Sequence, residues 1–126
     1  MYISKKNIDK IQFAIEMSGY HARRYMELDR KETKYFNDNH AKSTNEIGDC
    51  DFWIEYRTLK LDALLQLRES YKYYSMAKDK GIDAQVFPYT LDYVIKAIKD
   101  SEFESIHQDI DFWQDRKESL TNKEVA

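Results

Sequence analysis

The sequence predicts an all-α fold, a single-domain bundle of about four helices with a long polar loop after the first. Three observations predict it. Only 3 glycines and 1 proline punctuate 126 residues, too few for the closely spaced turns of an all-β chain. Apolar residues recur at steps of three and four along most of the length, the period of a helix face. A composition of 42% hydrophobic and 34% charged residues is globular, and residues 1–126 suffice for one core.

The first helix is expected over about residues 4–35, with Ser4 as its cap. Its inner face is Ile8, Ile11, Ile15, Ser18, Ala22 and Tyr25, and a second row, Phe13, Met17, Tyr20 and Leu28, widens that face. One neighbouring helix seldom covers so wide a face, so pairing with a second copy, a homodimer, also fits it.

Within this helix the segment "EMSGYHARRYM" admits two readings. A turn at Gly19 would make residues 19–34 a helix-turn-helix, with Tyr20, His21, Arg23 and Arg24 facing nucleic acid. The apolar phase, however, runs unbroken from Ile8 to Tyr25, and a turn would reset it. A glycine inside a packed helix costs only ~1 kcal/mol. Glu27, Asp29 and Glu32 also dilute the positive field there. One continuous helix is the first expectation, and a DNA-binding regulator is the runner-up.

Residues 36–49, "FNDNHAKSTNEIGD", lose the period and collect turn-forming residues, which reads as the long loop. Asp49 or Asp51 is then placed to cap the second helix. That helix carries Phe52, Tyr56, Leu59, Ala63, Leu67, Tyr71 and Tyr74 on one stripe, with Leu61, Leu64 and Leu65 beside it. A helix apolar over so much of its circumference is the central one. It should stop near Gly81, after Lys78 and Lys80, where glycine and cations suit a helix C-terminus.

"IDAQVFPYT" reads as a connector, with Pro88 opening a third helix that carries Leu91, Val94, Ile95 and Ile98. Ser101 and Glu104 have the capping-box spacing for a fourth, with Phe103, Ile106, Ile110, Trp113 and Leu120 inward. A single helix bent near Asp100 is the alternative. The tail from about residue 121 is expected to fray.

Charge is unevenly spread although the net value is only −3. Residues 1–35 carry eight basic and five acidic side chains, whereas residues 89–126 carry five and nine. A single cysteine, Cys50, excludes an internal disulfide and fits a reducing compartment. "MYISKKNIDK" has no apolar leader core, and no stretch approaches the ~18 apolar residues of a membrane span. The expected location is cytoplasmic, with no membrane partner.

Catalytic chemistries find little support. Glu104 and His107 stand at Glu-x-x-His spacing with Asp111 a turn away. Di-metal bundles use two such motifs plus two more glutamates, and the chain has no second Glu-x-x-His, so the set is incomplete. His21 and His40 have no ligand-spaced neighbours, so no metal or other cofactor is expected. Cys50 lies between Asp49 and Asp51, whose charges oppose a reactive thiolate. The three glycines are isolated, so no phosphate-cradling loop exists. The chain reads as a non-enzyme.

The remaining lead is the fourth helix. Opposite its apolar face run Glu104, Gln108, Asp111, Asp115 and Glu118, one turn or ~5–6 Å apart. Fixed anions at that pitch can enter a basic groove that normally holds a nucleic-acid backbone. In "YKYY", Tyr71 and Tyr74 share the core stripe and Tyr73 points elsewhere, an exposed ring for a partner. The expected function is a protein–protein interaction module that blocks a nucleic-acid-binding partner through Glu104, Asp111, Asp115, Glu118 and Tyr73. Direct contact with nucleic acid is disfavoured. In style, though in no motif, the chain is similar to small inhibitors of phages and mobile elements, anti-CRISPR proteins among them.

Overall fold

The computed structural model describes residues 3–87, 89–100 and 103–125. They form α1 (Lys5–Asn39), α2 (Glu46–Asp79), α3 (Leu91–Asp100) and α4 (Phe103–Val125), with no strand among the described residues. The fold is all-α. No described helix is long and apolar enough to cross a membrane.

Ser4 caps α1 as expected: its hydroxyl accepts the Asn7 N–H at 3.3 Å and its carbonyl accepts the Ile8 N–H at 2.9 Å. The helix then passes through Gly19 without interruption. The turn that a helix-turn-helix over residues 19–34 requires is not formed. The cause is the unbroken burial of Ile11, Ala14, Ser18, Ala22, Tyr25 and Leu28 on one side, which a reset of phase would disrupt. Both rows are corrected in part, because Ile8 of the inner face and Phe13 and Tyr20 of the second row are exposed.

The long polar loop shrinks to residues 40–45. At one end α1 continues to Asn39, whose side-chain amide donates to the Tyr35 carbonyl at 2.9 Å. At the other, Asn45 begins α2 in place of Asp49 or Asp51. Its Oδ1 accepts the Gly48 N–H at 2.7 Å, and its carbonyl accepts the Asp49 N–H at 3.1 Å. Glu46 and Asp49 then lie in the first turn, where negative charge complements the helix dipole.

α2 ends where its glycine predicts. Gly81 has φ 103°, a left-handed conformation that strains any other residue. The Gly81 N–H reaches the Lys78 carbonyl at 2.9 Å and the Ile82 N–H the Ala77 carbonyl at 3.1 Å. This is the Schellman pairing. Ile82 also packs on Ala77 and its neighbours, the apolar contact that accompanies the motif. Thr90 caps α3, accepting the Tyr93 N–H at 3.2 Å on its hydroxyl. Pro88 and Ser101 lie outside the described residues. α4 extends to Val125, through the segment expected to fray, with Thr121 donating to the Lys117 carbonyl at 2.8 Å.

The chain divides into two compact units, Met1–Met26 with Leu64–Ser101 and Glu27–Ala63 with Glu102–Ala126. In the first, α1 and α2 run antiparallel, since Phe13 meets Tyr73 and His21 meets Gln66. Small residues let the two backbones approach. Ser18 donates to the Ser70 carbonyl at 2.8 Å, and Ser70 returns a bond to the Ser18 carbonyl at 2.7 Å. Both hydroxyls are buried and so are satisfied where an orphan would cost ~1–3 kcal/mol. Leu67, Tyr74, Phe87 and Val94 fill the rest of this core. Full burial of a side chain such as Leu67 contributes ~1.5–3 kcal/mol.

In the second unit Cys50, Phe52, Leu61, Ala63, Ile106 and Ile110 are buried with Leu28. Tyr35 stacks on Phe52 at 5.7 Å, and Phe36 meets Phe52 and Tyr56 at 5.9 and 5.3 Å. These rings pin the end of α1 and account for its extra turn. Burial, against the nearby Lys60 charge for Glu32 and with the Glu32 charge for Tyr56, raises both the Glu32 carboxyl and the Tyr56 phenol above their ordinary values.

Candidate functional site

α4 owes its orientation to its inner face. Ile106 and Ile110 are buried, Phe103 and Leu120 are half-buried, and Trp113 lies parallel to Trp53 with centroids 6.1 Å apart. That fixes which side chains face solvent. Glu104, Gln108, Asp111, Asp115 and Glu118 are all exposed, so the structure brings the predicted stripe together on one surface.

Two of the three cations of α4 are drawn to α2. Arg116 lies 3.5 Å from Glu46 and Lys117 lies 2.7 Å from Asp51, so both are paired with carboxylates of α2. Asp109, which flanks the stripe, is 3.6 Å from Arg57. Arg57 in turn sits over the Trp53 ring at 5.9 Å. Each of these half-exposed ion pairs contributes little to stability, but together they set the direction of charge. Glu104, Asp111, Asp115 and Glu118 make no ion pair with a described residue.

Phe112 belongs to the same face and is a residue that sequence reasoning missed. It is 57% exposed and stands one turn from Gln108, Asp109, Asp115 and Arg116. Its ring meets Trp113 edge to face at 5.1 Å and 83°. The available signal was that Phe112 and Trp113 are adjacent and therefore ~100° apart on a helix. Both cannot face one core. Phe112 itself lines a groove of about 530 Å³ with Asp115, Arg116, Ser119, Leu120 and Lys123 of α4 and Glu46 of α2, two carboxylates and two cations.

Tyr73, predicted as part of the same surface, is placed in the first unit. It is half-buried, edge to face with Phe13 at 6.0 Å and parallel to His21 at 5.7 Å. Tyr20 adds a fourth ring, 5.0 Å from His21. His21 Nδ1 is 2.6 Å from Gln66 Oε1, so its imidazole is engaged in packing between the two helices. Arg23 is exposed and Arg24 half-buried, and both lie in mid-helix on α1 rather than at a helix N-terminus.

The other chemistries stay unassembled among the described residues. Glu104, His107 and Asp111 are exposed, and no group of three His, Cys, Asp or Glu side chains could hold a metal. Cys50 sits inside α2, not at a loop end. Burial pushes its thiol up, and Asp51, Asp49 and Glu46 push it further against the opposing Arg116. A protonated, fully buried sulfur is a packing residue.

Formal charge follows the two units. The first holds eleven basic and seven acidic side chains, +4, and the second nine and sixteen, −7, which together give the net −3. The acidic stripe therefore lies on the acidic unit. No family model, curated protein or solved structure matches the chain.

Proposed function

We propose that this protein is a non-enzymatic interaction module that docks the exposed face of α4 onto a basic, nucleic-acid-binding surface of a partner protein and blocks it. It would act as an inhibitor of the type carried by phages and mobile elements. The observation that carries this reading is the asymmetry of pairing along α4. Arg116 and Lys117 are bound to α2 carboxylates, while Glu104, Asp111, Asp115 and Glu118 have no such partner and are exposed. Charged helix faces are common, but they normally mix both signs, and here Arg116 and Lys117 are paired with α2 rather than with the stripe. The net −7 of the same unit adds long-range attraction for a basic partner.

The test is charge reversal with the full chain. A partner captured from lysate of the source organism is identified and purified, and its affinity is measured for wild type and for Asp111→Lys/Asp115→Lys. The double variant should bind about tenfold more weakly, and added duplex or single-stranded nucleic acid should displace the wild-type chain from its partner. Equal affinity of the two proteins, at low and moderate salt, removes the reading.

A further inference from the structure

The outward side of α1 in the first unit carries large rings that their own chain leaves open. Phe13 and Tyr20 are both exposed and lie two helical turns, ~10 Å, apart on one face, with the half-buried Met17 between them. Each ring is braced from behind. Phe13 meets Tyr73 edge to face at 6.0 Å, Tyr73 stacks on His21 at 5.7 Å, and His21 meets Tyr20 at 5.0 Å. The exposed Met76 lies one turn from Tyr73 on α2. Rings fixed in this way have little freedom left to lose when a partner covers them.

The charges around the strip are self-complementary. Asp9 stands four residues before Phe13, and Arg24 four residues after Tyr20. Along the face the order is anion, ring, ring, cation; reversed about the midpoint between Glu16 and Met17, it is cation, ring, ring, anion. Two antiparallel copies thus set Phe13 against Tyr20 and Asp9 against Arg24, and a two-fold axis makes each contact twice. Asp9 is exposed and makes no ion pair with a described residue. Arg24 already interacts within its own chain, and a guanidinium with five N–H donors can serve a second carboxylate as well. Lys10 and Arg23 also match by position, but they lie ~140° apart round the helix, on opposite flanks, so these like charges do not meet. Glu16, ~60° from Phe13 and ~40° from Tyr20, falls on the solvated rim.

We propose that the protein self-associates through this face, with α1 packed against α1 of an antiparallel second copy. The occupant is the chain itself, because a ring-and-charge order that is complementary to its own reverse fits an inverted copy without any further requirement. From Asp9 to Arg24 the contact is ~22 Å long and about one helix wide, at the small end of specific interfaces. The dimer therefore forms reversibly, at micromolar concentrations. The inference goes beyond the α4 reading and does not depend on it, since no residue of α4 takes part.

The test is sedimentation equilibrium of the full chain across the micromolar range. Wild type should pass from monomer to dimer and no further, because a two-fold contact closes on itself. Phe13→Glu and Tyr20→Lys should each weaken the dimer about tenfold, by setting a charge against a ring. Mixed in equal amounts they should restore it, because the new carboxylate and the new ammonium then face each other across the mixed dimer. Asp9→Arg mixed with Arg24→Asp should behave in the same way. Thermal unfolding checks that each variant is folded, and the first mixture decides the matter even if Arg24→Asp fails to fold. Asp111→Lys/Asp115→Lys should dimerise like wild type; loss of self-association in that variant would place the contact on α4 and overturn the proposal. A wild type that stays monomeric, a dimer untouched by the single variants, or weakening without rescue in the mixture overturns it equally, and leaves the α4 reading to its own test.

Discussion

A methyl group added at Gly19 would approach nothing closer than Arg23 Nη1 at 3.4 Å and Val86 Cγ2 at 4.0 Å, ordinary contact distances. Gly19→Ala should therefore stabilise the protein by ~0.5–1 kcal/mol, the usual gain in a helix interior. Gly81 is the opposite case. Its φ of 103° is a left-handed conformation that a Cβ penalises, and Gly81→Ala should cost ~1 kcal/mol. Chemical denaturation of the two variants should move the midpoint in opposite directions; a loss at Gly19 would contradict the continuous helix. Tyr74 makes a third residue-level statement. Its phenol is buried and donates to Asp83 Oδ1 at 2.7 Å. Burial first, and the Asp83 bond and charge second, push its pKa up to about 12. The folded state thus holds this proton more tightly than the unfolded chain, whose phenol has the ordinary value of ~10. The resulting stability is fully present below pH ~10 and is lost as the pH climbs to about 12, on the order of 2–3 kcal/mol in all. Stability measured from pH 9 to 12 should fall less steeply in Tyr74→Phe than in wild type. Parallel curves would refute the assignment.

At the scale of the element, the join between α1 and α2 depends on Asn45. Its side chain holds the Gly48 N–H at 2.7 Å, and Ser43 Oγ donates back to the Asn45 carbonyl at 2.9 Å. Asn45→Ala should cost ~1 kcal/mol, read as a lower denaturation midpoint, and an unchanged midpoint would show that another group caps α2. This cap was hard to read from the sequence. Residues 36–49 have loop composition, and their helical ends are imposed by tertiary contacts that periodicity does not encode: Tyr35 and Phe36 against Phe52 and Tyr56. By contrast, the inner face of α2, that of α1 apart from the exposed Ile8, the stop at Gly81 and the outward stripe of α4 follow from spacing. The candidate site was therefore half legible. Its carboxylates declare themselves by period, whereas Phe112 is outward only once Trp113 is assigned inward, and the tripeptide Asp-Phe-Trp, which occurs twice, at residues 51–53 and 111–113, does not by itself make that assignment. In the first copy the phenylalanine is buried, and in the second it is exposed, while the two tryptophans stack on each other. The same three residues meet different surroundings, and only packing distinguishes them.

At the scale of the whole molecule, charge is partitioned rather than balanced, with +4 in one unit and −7 in the other. Such a chain has little net charge, yet it presents a strong local field to a partner that approaches the acidic unit. Long-range attraction of this kind acts on the rate of encounter more than on the lifetime of the complex. The carboxylates of Asp111 and Asp115 are exposed and make no ion pair with a described residue. Reversing them should therefore leave folding stability within ~0.5 kcal/mol of wild type. The same change should slow association with the partner about tenfold at low salt and alter dissociation much less. Raising the ionic strength toward physiological values contracts the screening length to ~8 Å, so the gap between wild type and variant should narrow as salt is added. Surface-immobilised partner and the two full-length proteins, measured at two or three salt concentrations with thermal unfolding run alongside, separate these effects. A variant that binds poorly because it has lost stability would point to a structural role for the stripe. A variant that folds normally yet associates slowly, with the difference fading in salt, is the signature of a docking face built on unscreened charge.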